Sequence, residues 1–498
     1  MEMPGPTEPQ LRKRIALGVS PGWALSLSVG VSVFAMYAGP GMQLFGRFDD
    51  YTALAGSIQG QPGVISDVWF QAGRLIPAML GRWMLEWPRG IDFLVWVRLL
   101  GIALIALTAL ILSHWVLRQL NGDRKPILLV LSYSAGVLTA ALPSLVSAAM
   151  WATMTPQLLG LVTAIGAGYW ISINSGRCMV RLFVLAAVLI LLSAFSYQSL
   201  TILALLLPYL GAGISLARGE RVRWLPLVMV TSWVALALVL NYVWVITQGG
   251  SGSERFGAAS YGEASRWMTS EFVPVATNLW VSTDPLFVVG SGIVLSAFLL
   301  SPMLLQIRAI WIPAFSLVGI CAWLGVILLI RETYVTYRFA MSTQIWLWFS
   351  AFFCLSLFVS WAVARRREMQ RPLSVFVMLL ALGAVVSTHE TARSSIADPN
   401  ERDWLYALCL VDRLEKPETP RMISLVTTKS SQVDSPHKRF DEIGVVSSEV
   451  AWSLAPMLRT ALFERELDQE LVSRLEILED RVGNLGEASA SVNYPACQ

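Results

Sequence analysis

Charge is scarce in this chain. Asp, Glu, Lys and Arg together make up 14% of its 498 residues, where a soluble domain carries about a quarter. With 55% hydrophobic residues and a mean hydropathy of +0.59, that shortage excludes an ordinary soluble domain and predicts a polytopic membrane protein. The net charge of +3 says little, because Arg and Lys are segregated by loop. The five cysteines show no metal-ligand spacing, and Cys178, Cys321 and Cys354 fall in or beside apolar runs, where packing is expected. His389 and Glu390 form a lone pair at the end of an apolar run, so no metal and no cofactor are expected. Within the apolar runs Arg98 is the one charged residue that clearly intrudes. Transporters usually place ionisable groups near the bilayer midplane and often carry internal repeats; neither is found here.

What is present is a series of apolar runs with alternating loops. A crossing needs about 20 residues, and basic loops mark the cytoplasmic side. Arg12, Lys13 and Arg14 precede the first run, 23–38, which lacks a small-x-small cleavage site and reads as an uncleaved span with its N-terminus inside. Runs at 93–113, 127–142 and 157–173 follow, with 143–155 as a short outer or re-entrant piece. The stretch 182–217 is too long for one crossing and has Arg at both ends, so it reads as a hairpin with its tip at Ser196, Tyr197, Gln198 and Ser199. Runs at 225–246, 286–305, 310–330, 339–363 and 373–388 complete about eleven spans, and Arg365, Arg366, Arg367 and Arg371 give the strongest inside mark.

This map makes residues 1–389 a transmembrane domain with its first outer loop at 41–92, and 390–498 a small extracytoplasmic α/β domain. In the latter, Trp404, Leu408 and Val411 predict a helix, 422–426 a short strand, and 457–485 a charged helix. Cys409 and Cys497 fall on the outer side, where oxidation is permitted, and are candidates for a disulfide.

The chemistry-bearing residues gather on the outer loops. Asp49, Asp50 and Tyr51 follow the first span, flanked by Arg47 and Arg74; Tyr197 and Gln198 sit at the hairpin tip; Arg331, Tyr334, Tyr337 and Arg338 share another outer loop. Adjacent, partly buried carboxylates raise one another's pKa, which suits a general base. Arg offers forked donors to a phosphate. Other readings stay open: the aspartates as caps of a following helix, the arginines as interfacial anchors, and the tyrosines as an aromatic belt. Asp67 is expected to cap a helix.

Asp-Asp-Tyr after the first span, then a Trp with Gly-Arg close behind, resembles the first loop of the serotype-converting O-antigen glucosyltransferases, and more broadly the GT-C membrane glycosyltransferases. The Tyr197-Gln198 tip and the polar C-terminal region are also similar to that family. The likeness covers most of the chain in layout but rests on short motifs in residues. It implies a GT-C-like, inverting enzyme of the cytoplasmic (inner) membrane, with its C-terminus in the periplasm. The implied donor is a polyprenyl-phosphate-linked sugar, with glucose expected, and the implied acceptor is a lipid-linked or surface glycan such as O-antigen of lipopolysaccharide. It assigns the base to Asp50 with Asp49 tuning it, and substrate contacts to Arg47, Tyr51, Arg74, Tyr197, Gln198, Arg331, Tyr337 and Arg338. Besides the lipid bilayer, a flippase and a donor-synthesising glycosyltransferase are the implied partners, and no nucleic acid is. A flippase or exporter of lipid-linked saccharide, and a non-catalytic subunit of a glycan-assembly complex, remain as alternatives.

Overall fold

The structure, a computed structural model, describes residues 21–60, 63–85, 90–120, 126–174, 179–248, 266, 272–277, 310–317, 337–414, 423–427, 451–467 and 475–479. The run at 286–305, most of 310–330, Arg331, Tyr334 and Cys497 lie outside these residues.

Among the described residues, seven helices are long and apolar enough to cross a membrane, or eight if one bent pair counts as a span. The chain is therefore a polytopic α-helical membrane protein. Helix is the form that lets an apolar segment satisfy its own backbone in lipid. In chain order the elements are α1 (Pro21–Gly41), α2 (Asp49–Ile58), α3 (Val64–Gln71), α4 (Leu75–Leu85), α5 (Asp92–Gln119), α6 (Pro126–Ala140) and α7 (Pro143–Ala149). After them come α8 (Thr155–Asn174), α9 (Met179–Ser196), α10 (Leu206–Ala217), α11 (Trp224–Thr247) and the short α12 (Val273–Thr277). The last are α13 (Tyr337–Arg365), α14 (Gln370–Ala392), α15 (Asp398–Leu414), β1 (Ile423–Thr427), α16 (Ala451–Glu464) and β2 (Leu475–Glu479).

The main core joins α1, α5, α6, α8, α9, α10 and α13. Small residues allow the closest approaches: a Cβ added at Gly101 of α5 would stand 2.6 Å from Thr155 Oγ1 of α8. That same hydroxyl donates to the Val97 carbonyl at 2.9 Å. The bent pair is α6 and α7, which meet at 64°, with Pro143 opening α7; this is the piece expected to be short or re-entrant. The overlong stretch breaks where its polar interruption stands. Helix α9 stops at Ser196, Tyr197 is extended, and a 3-10 segment, Gln198–Leu205, leads into α10. At the other end of α10, Arg218 donates to the Gln119 carbonyl at 2.7 Å, so two loops with basic residues meet on one face.

A second, separate core lies beside the spans. Tyr51 and Leu54 of α2, Trp69 of α3 and Ala78 of α4 pack there with Trp404 and Leu410 of α15 and with Met457 and Leu458 of α16. Helix α14 passes through a π-helical turn, Arg393–Ala397, straight into α15, so the last span delivers the C-terminal helices onto the first loop. Glu464 of α16 accepts a hydrogen bond from the Ile91 amide at 2.5 Å. Gln43 donates to Asp398 at 2.8 Å, which also meets Arg393 at 3.5 Å.

Strands β1 and β2 pair in parallel, Ile423 opposite Leu475 and Leu425 opposite Ile477. The helix expected over 457–485 is therefore corrected: it ends at Glu464, and 475–479 is strand. Leu475 fits a heptad with Leu471 and Leu478 and also a period of 2 with Ile477, and pairing with β1 decides between the two. Cys409 is disulfide-bonded, and Cys497, its expected partner, lies outside the described residues. Cys354 is buried, as its place in an apolar run led one to expect.

Candidate functional site

The site begins at a strained residue. Phe48 is the N-cap of α2 with φ 33° and ψ −96°, a conformation that costs a non-glycine residue about 1–3 kcal/mol. Neither aspartate is the N-cap; Asp49 and Asp50 are the first two helical residues. Asp50 holds the turn in place. Its Oδ2 accepts from the Arg47 amide at 3.0 Å and the Ala152 amide at 3.3 Å, and its Oδ1 accepts from the Thr153 amide at 2.8 Å. Phe48 also packs on Trp151, ring centroids 5.4 Å apart.

Arg98, the intruder in its apolar run, explains the loop before that turn. From α5 its guanidinium donates to the carbonyls of Gly41 at 3.0 Å, Phe45 at 2.6 Å and Gln43 at 2.6 Å. A buried Arg whose forks are filled by carbonyls is a clamp for the chain leaving α1.

Burial pushes the Asp50 carboxyl up to about 6, against the pull of the Thr153 amide, Arg98 and the Arg47 amide. At neutral pH it is still ionised, which matches its use as a three-fold acceptor. Tyr51 is wholly buried. Its hydroxyl accepts from the Gly46 amide at 3.0 Å, and its ring stacks on Trp404 at 5.7 Å. It is placed in the second core rather than toward a ligand.

Asp49 is different. It is half-buried, and that burial raises its pKa while Arg338 and then Arg74 pull it back. Those arginines come from elements far apart in sequence. Arg338, near the start of α13, lies 3.8 Å from the Trp151 ring centre, and Arg47 lies 4.8 Å from the same ring. Arg74 lies 4.7 Å from the ring of Tyr197. Such cation–π contacts contribute about 0.5–2 kcal/mol each and fix the planes of the guanidiniums.

The turn carrying Arg74 is itself tied down. Gly73 has φ +75°, and a Cβ there would come within 2.8 Å of Asn241 Oδ1, so both conformation and space call for glycine. Asn241 of α11 donates to the Gly73 carbonyl at 2.6 Å and to Ala194 at 3.1 Å. Gln198 donates to the Ala72 carbonyl at 2.5 Å, and Trp244 to Phe70 at 3.1 Å.

Of the residues singled out by sequence, Arg47, Asp49, Asp50, Arg74, Tyr197, Gln198 and Arg338 come together here. Tyr51 faces the second core. Tyr337 opens α13, its side chain outside the described residues, as is all of Arg331. Asp67 pairs with Arg82 at 2.7 Å on an exposed surface instead of capping. Sequence reasoning missed Trp151, Thr153 and Asn241, which sit in a short connector and in a span and carry no motif, and it left Arg98 without a role. Among the described residues no group of three or more His, Cys, Asp or Glu side chains is placed to hold a metal.

Chemically, the arrangement offers one half-buried carboxylate with a raised pKa beside two fixed guanidiniums: a proton acceptor next to an anion-stabilising pair. No protein-family model and no curated protein sequence matches the chain.

Proposed function

We propose that the chain is an inverting glycosyltransferase of the GT-C kind, working at the outer face of the cytoplasmic membrane. It moves a sugar, glucose by the resemblance of its first loop, from a polyprenyl-phosphate donor to a lipid-linked or surface glycan. In this reading about eleven spans carry the site, the N-terminus is cytoplasmic, and residues 390–498 form a periplasmic α/β domain with Cys409 in an oxidising compartment. The observation that carries it is the half-buried Asp49 at the start of α2, with the charges of Arg338, held over Trp151, and Arg74, held over Tyr197, acting on it.

Asp49 takes the proton of the acceptor hydroxyl as that oxygen bonds to the anomeric carbon. The bond from that carbon to the donor phosphate breaks, and the phosphate leaves as an anion toward Arg74 and Arg338. Asp50 is the positioning residue, because both its oxygens are occupied by backbone N–H groups. The roles of the two aspartates are thus exchanged relative to the sequence expectation. An exporter needs the arginines but no base, so turnover separates the two readings. Purified chain in nanodiscs, given a short-chain prenyl-phosphate glucose and a glycan acceptor, is expected to release prenyl phosphate and glycosylated acceptor. Translocation of the donor without such release would refute the enzyme reading.

Orientation is tested separately. Gln59 is exposed at the end of α2, whereas Ser57 is buried. Gln59→Cys is expected to react with an impermeant thiol reagent in intact cells; labelling only after permeabilisation would invert the map.

A further inference from the structure

Hydroxyls in the apolar body mostly follow one rule. Those of Thr108, Ser132, Thr139, Thr163 and Ser356 each donate to the carbonyl four residues earlier, the usual way a helix hides a Ser or Thr. Some break it. Besides Ser113 of α5 and Ser134 of α6, the hydroxyls of Ser144, Ser199, Thr201, Ser342 and Thr343 are buried and make no hydrogen bond within the protein among the described residues. Leaving a buried hydroxyl unmade is unfavourable, so the last five, carried by three elements that pack on one another, are a pattern.

They share a neighbourhood because their elements do. Helix α13 packs on α7 and on the 3-10 segment after Tyr197. Gln344 of α13 stitches the first contact by accepting from the Ser144 amide at 3.1 Å, and it donates to the Val275 carbonyl at 2.6 Å. Each hydroxyl is also a short step from a site residue. Ser342 is one turn beyond Arg338 on the same face of α13, Ser199 and Thr201 lie two and four residues after Tyr197, and α7, which carries Ser144, ends at Ala149, two residues before Trp151. No charged side chain interrupts these positions.

We propose that these hydroxyls form a subsite, one helical turn inward of the Arg338–Trp151 contact, for a neutral polyhydroxylated ligand: the sugar ring of the donor. This rests on the glycosyltransferase reading and deepens it by dividing the donor between two places. The phosphate meets Arg74 and Arg338 at the surface, and the sugar meets neutral hydroxyls behind them. Neutral donors and acceptors suit a sugar ring, which bears several hydroxyls and no charge.

The full-length protein in nanodiscs would be titrated with two probes, farnesyl phosphate and farnesyl-phosphate glucose, for wild type and for a Ser342→Ala/Thr201→Val double variant. The double variant is expected to bind the glucosylated probe about tenfold more weakly, as fits two lost hydrogen bonds, and to bind farnesyl phosphate as before. Its melting temperature should hold or rise, since an unmade buried hydroxyl has been removed. Unchanged affinity for the glucosylated probe would overturn the subsite and leave the enzyme reading standing, with water as the partner of these hydroxyls. A falling melting temperature with both affinities reduced alike would also overturn it, by making the hydroxyls structural. Failure of wild type to bind either probe would remove the parent reading and the subsite together.

Discussion

The apolar body and the core beside it are built by different rules. In the body, polar groups are mostly hydroxyls turned back on their own helices, and the one buried charge of α5, Arg98, spends its donors on carbonyls. The second core joins segments from the two ends of the described chain, and its rim carries ionic contacts such as Arg465–Asp412 at 2.9 Å. Helix α2 belongs to both. Tyr51 faces the second core through Trp404, Asp50 is fastened to the connector at Ala152 and Thr153, and Asp49, half-buried, is left to the charges of Arg338 and Arg74. A residue held on two sides can keep a third side fixed yet accessible, and that is what a catalytic group requires.

Removing the open carboxylate is expected to have the largest effect. Asp49→Asn should lower turnover by about 10²–10⁴-fold, the usual contribution of a positioned base, while the melting temperature stays near wild type. Asp50→Asn should behave oppositely in kind. An amide NH₂ would be turned against at least one backbone N–H, so stability should fall by about 1–3 kcal/mol and activity should follow stability. Steady-state assays beside thermal melts distinguish the two. If Asp49→Asn retains turnover while Asp50→Asn loses it without loss of stability, the roles revert to the sequence assignment.

Trp404→Ala tests the second core. Truncating a buried Trp costs about 3–5 kcal/mol, and here it also removes the surface on which Tyr51 stacks. Denaturant or thermal unfolding should show that loss, with turnover reduced because α2 is freed on one side. A stable, fully active Trp404→Ala protein would mean that the C-terminal helices do not support the site.

Arg338→Lys is a smaller change. Lysine keeps the charge but loses the planar face that lies on Trp151 and the forked donors. Turnover is expected to drop by about tenfold, and Arg338→Ala should be worse. An Arg338→Lys enzyme with normal turnover would reduce Arg338 to an interfacial anchor.

How much of this was legible in sequence depends on range. The seven or eight spans among the described residues were readable from hydropathy, and the break at Tyr197 from a polar interruption in a run too long to cross once. The gathering of Arg47, Arg74, Tyr197 and Arg338 was readable only as a shared face. The division of labour between Asp49 and Asp50 was not readable, since it depends on where the amides of Ala152 and Thr153 lie, about a hundred residues away. The clamp of Arg98 was hidden for the same reason: its partners are backbone carbonyls, which every residue has. The strand at 475–479 was lost because Leu475 fits a heptad with Leu478 and a period of 2 with Ile477 until β1 chooses one.

The smallest expected effect concerns pH, and it separates the two aspartates without mutating the open one. Burial raises the folded Asp50 carboxyl to about 6, above its range in the unfolded chain, about 3.9. The folded state therefore binds this proton more tightly than the unfolded state does. Its contribution to stability is fully present below about pH 4 and is lost as pH rises through about 6, a change on the order of 1–3 kcal/mol. Comparing melts of wild type and Asp50→Asn from pH 4 to 7.5 isolates that slope: wild type should lose stability relative to the variant as pH rises. Activity should move in the opposite direction, because Asp49, also raised, works only when ionised, so kcat/KM should climb with pH from above the ordinary carboxylate range. Parallel curves for the two proteins would mean that Asp50 titrates alike in folded and unfolded chains, and its carboxylate would then be better solvated than the buried turn around it allows.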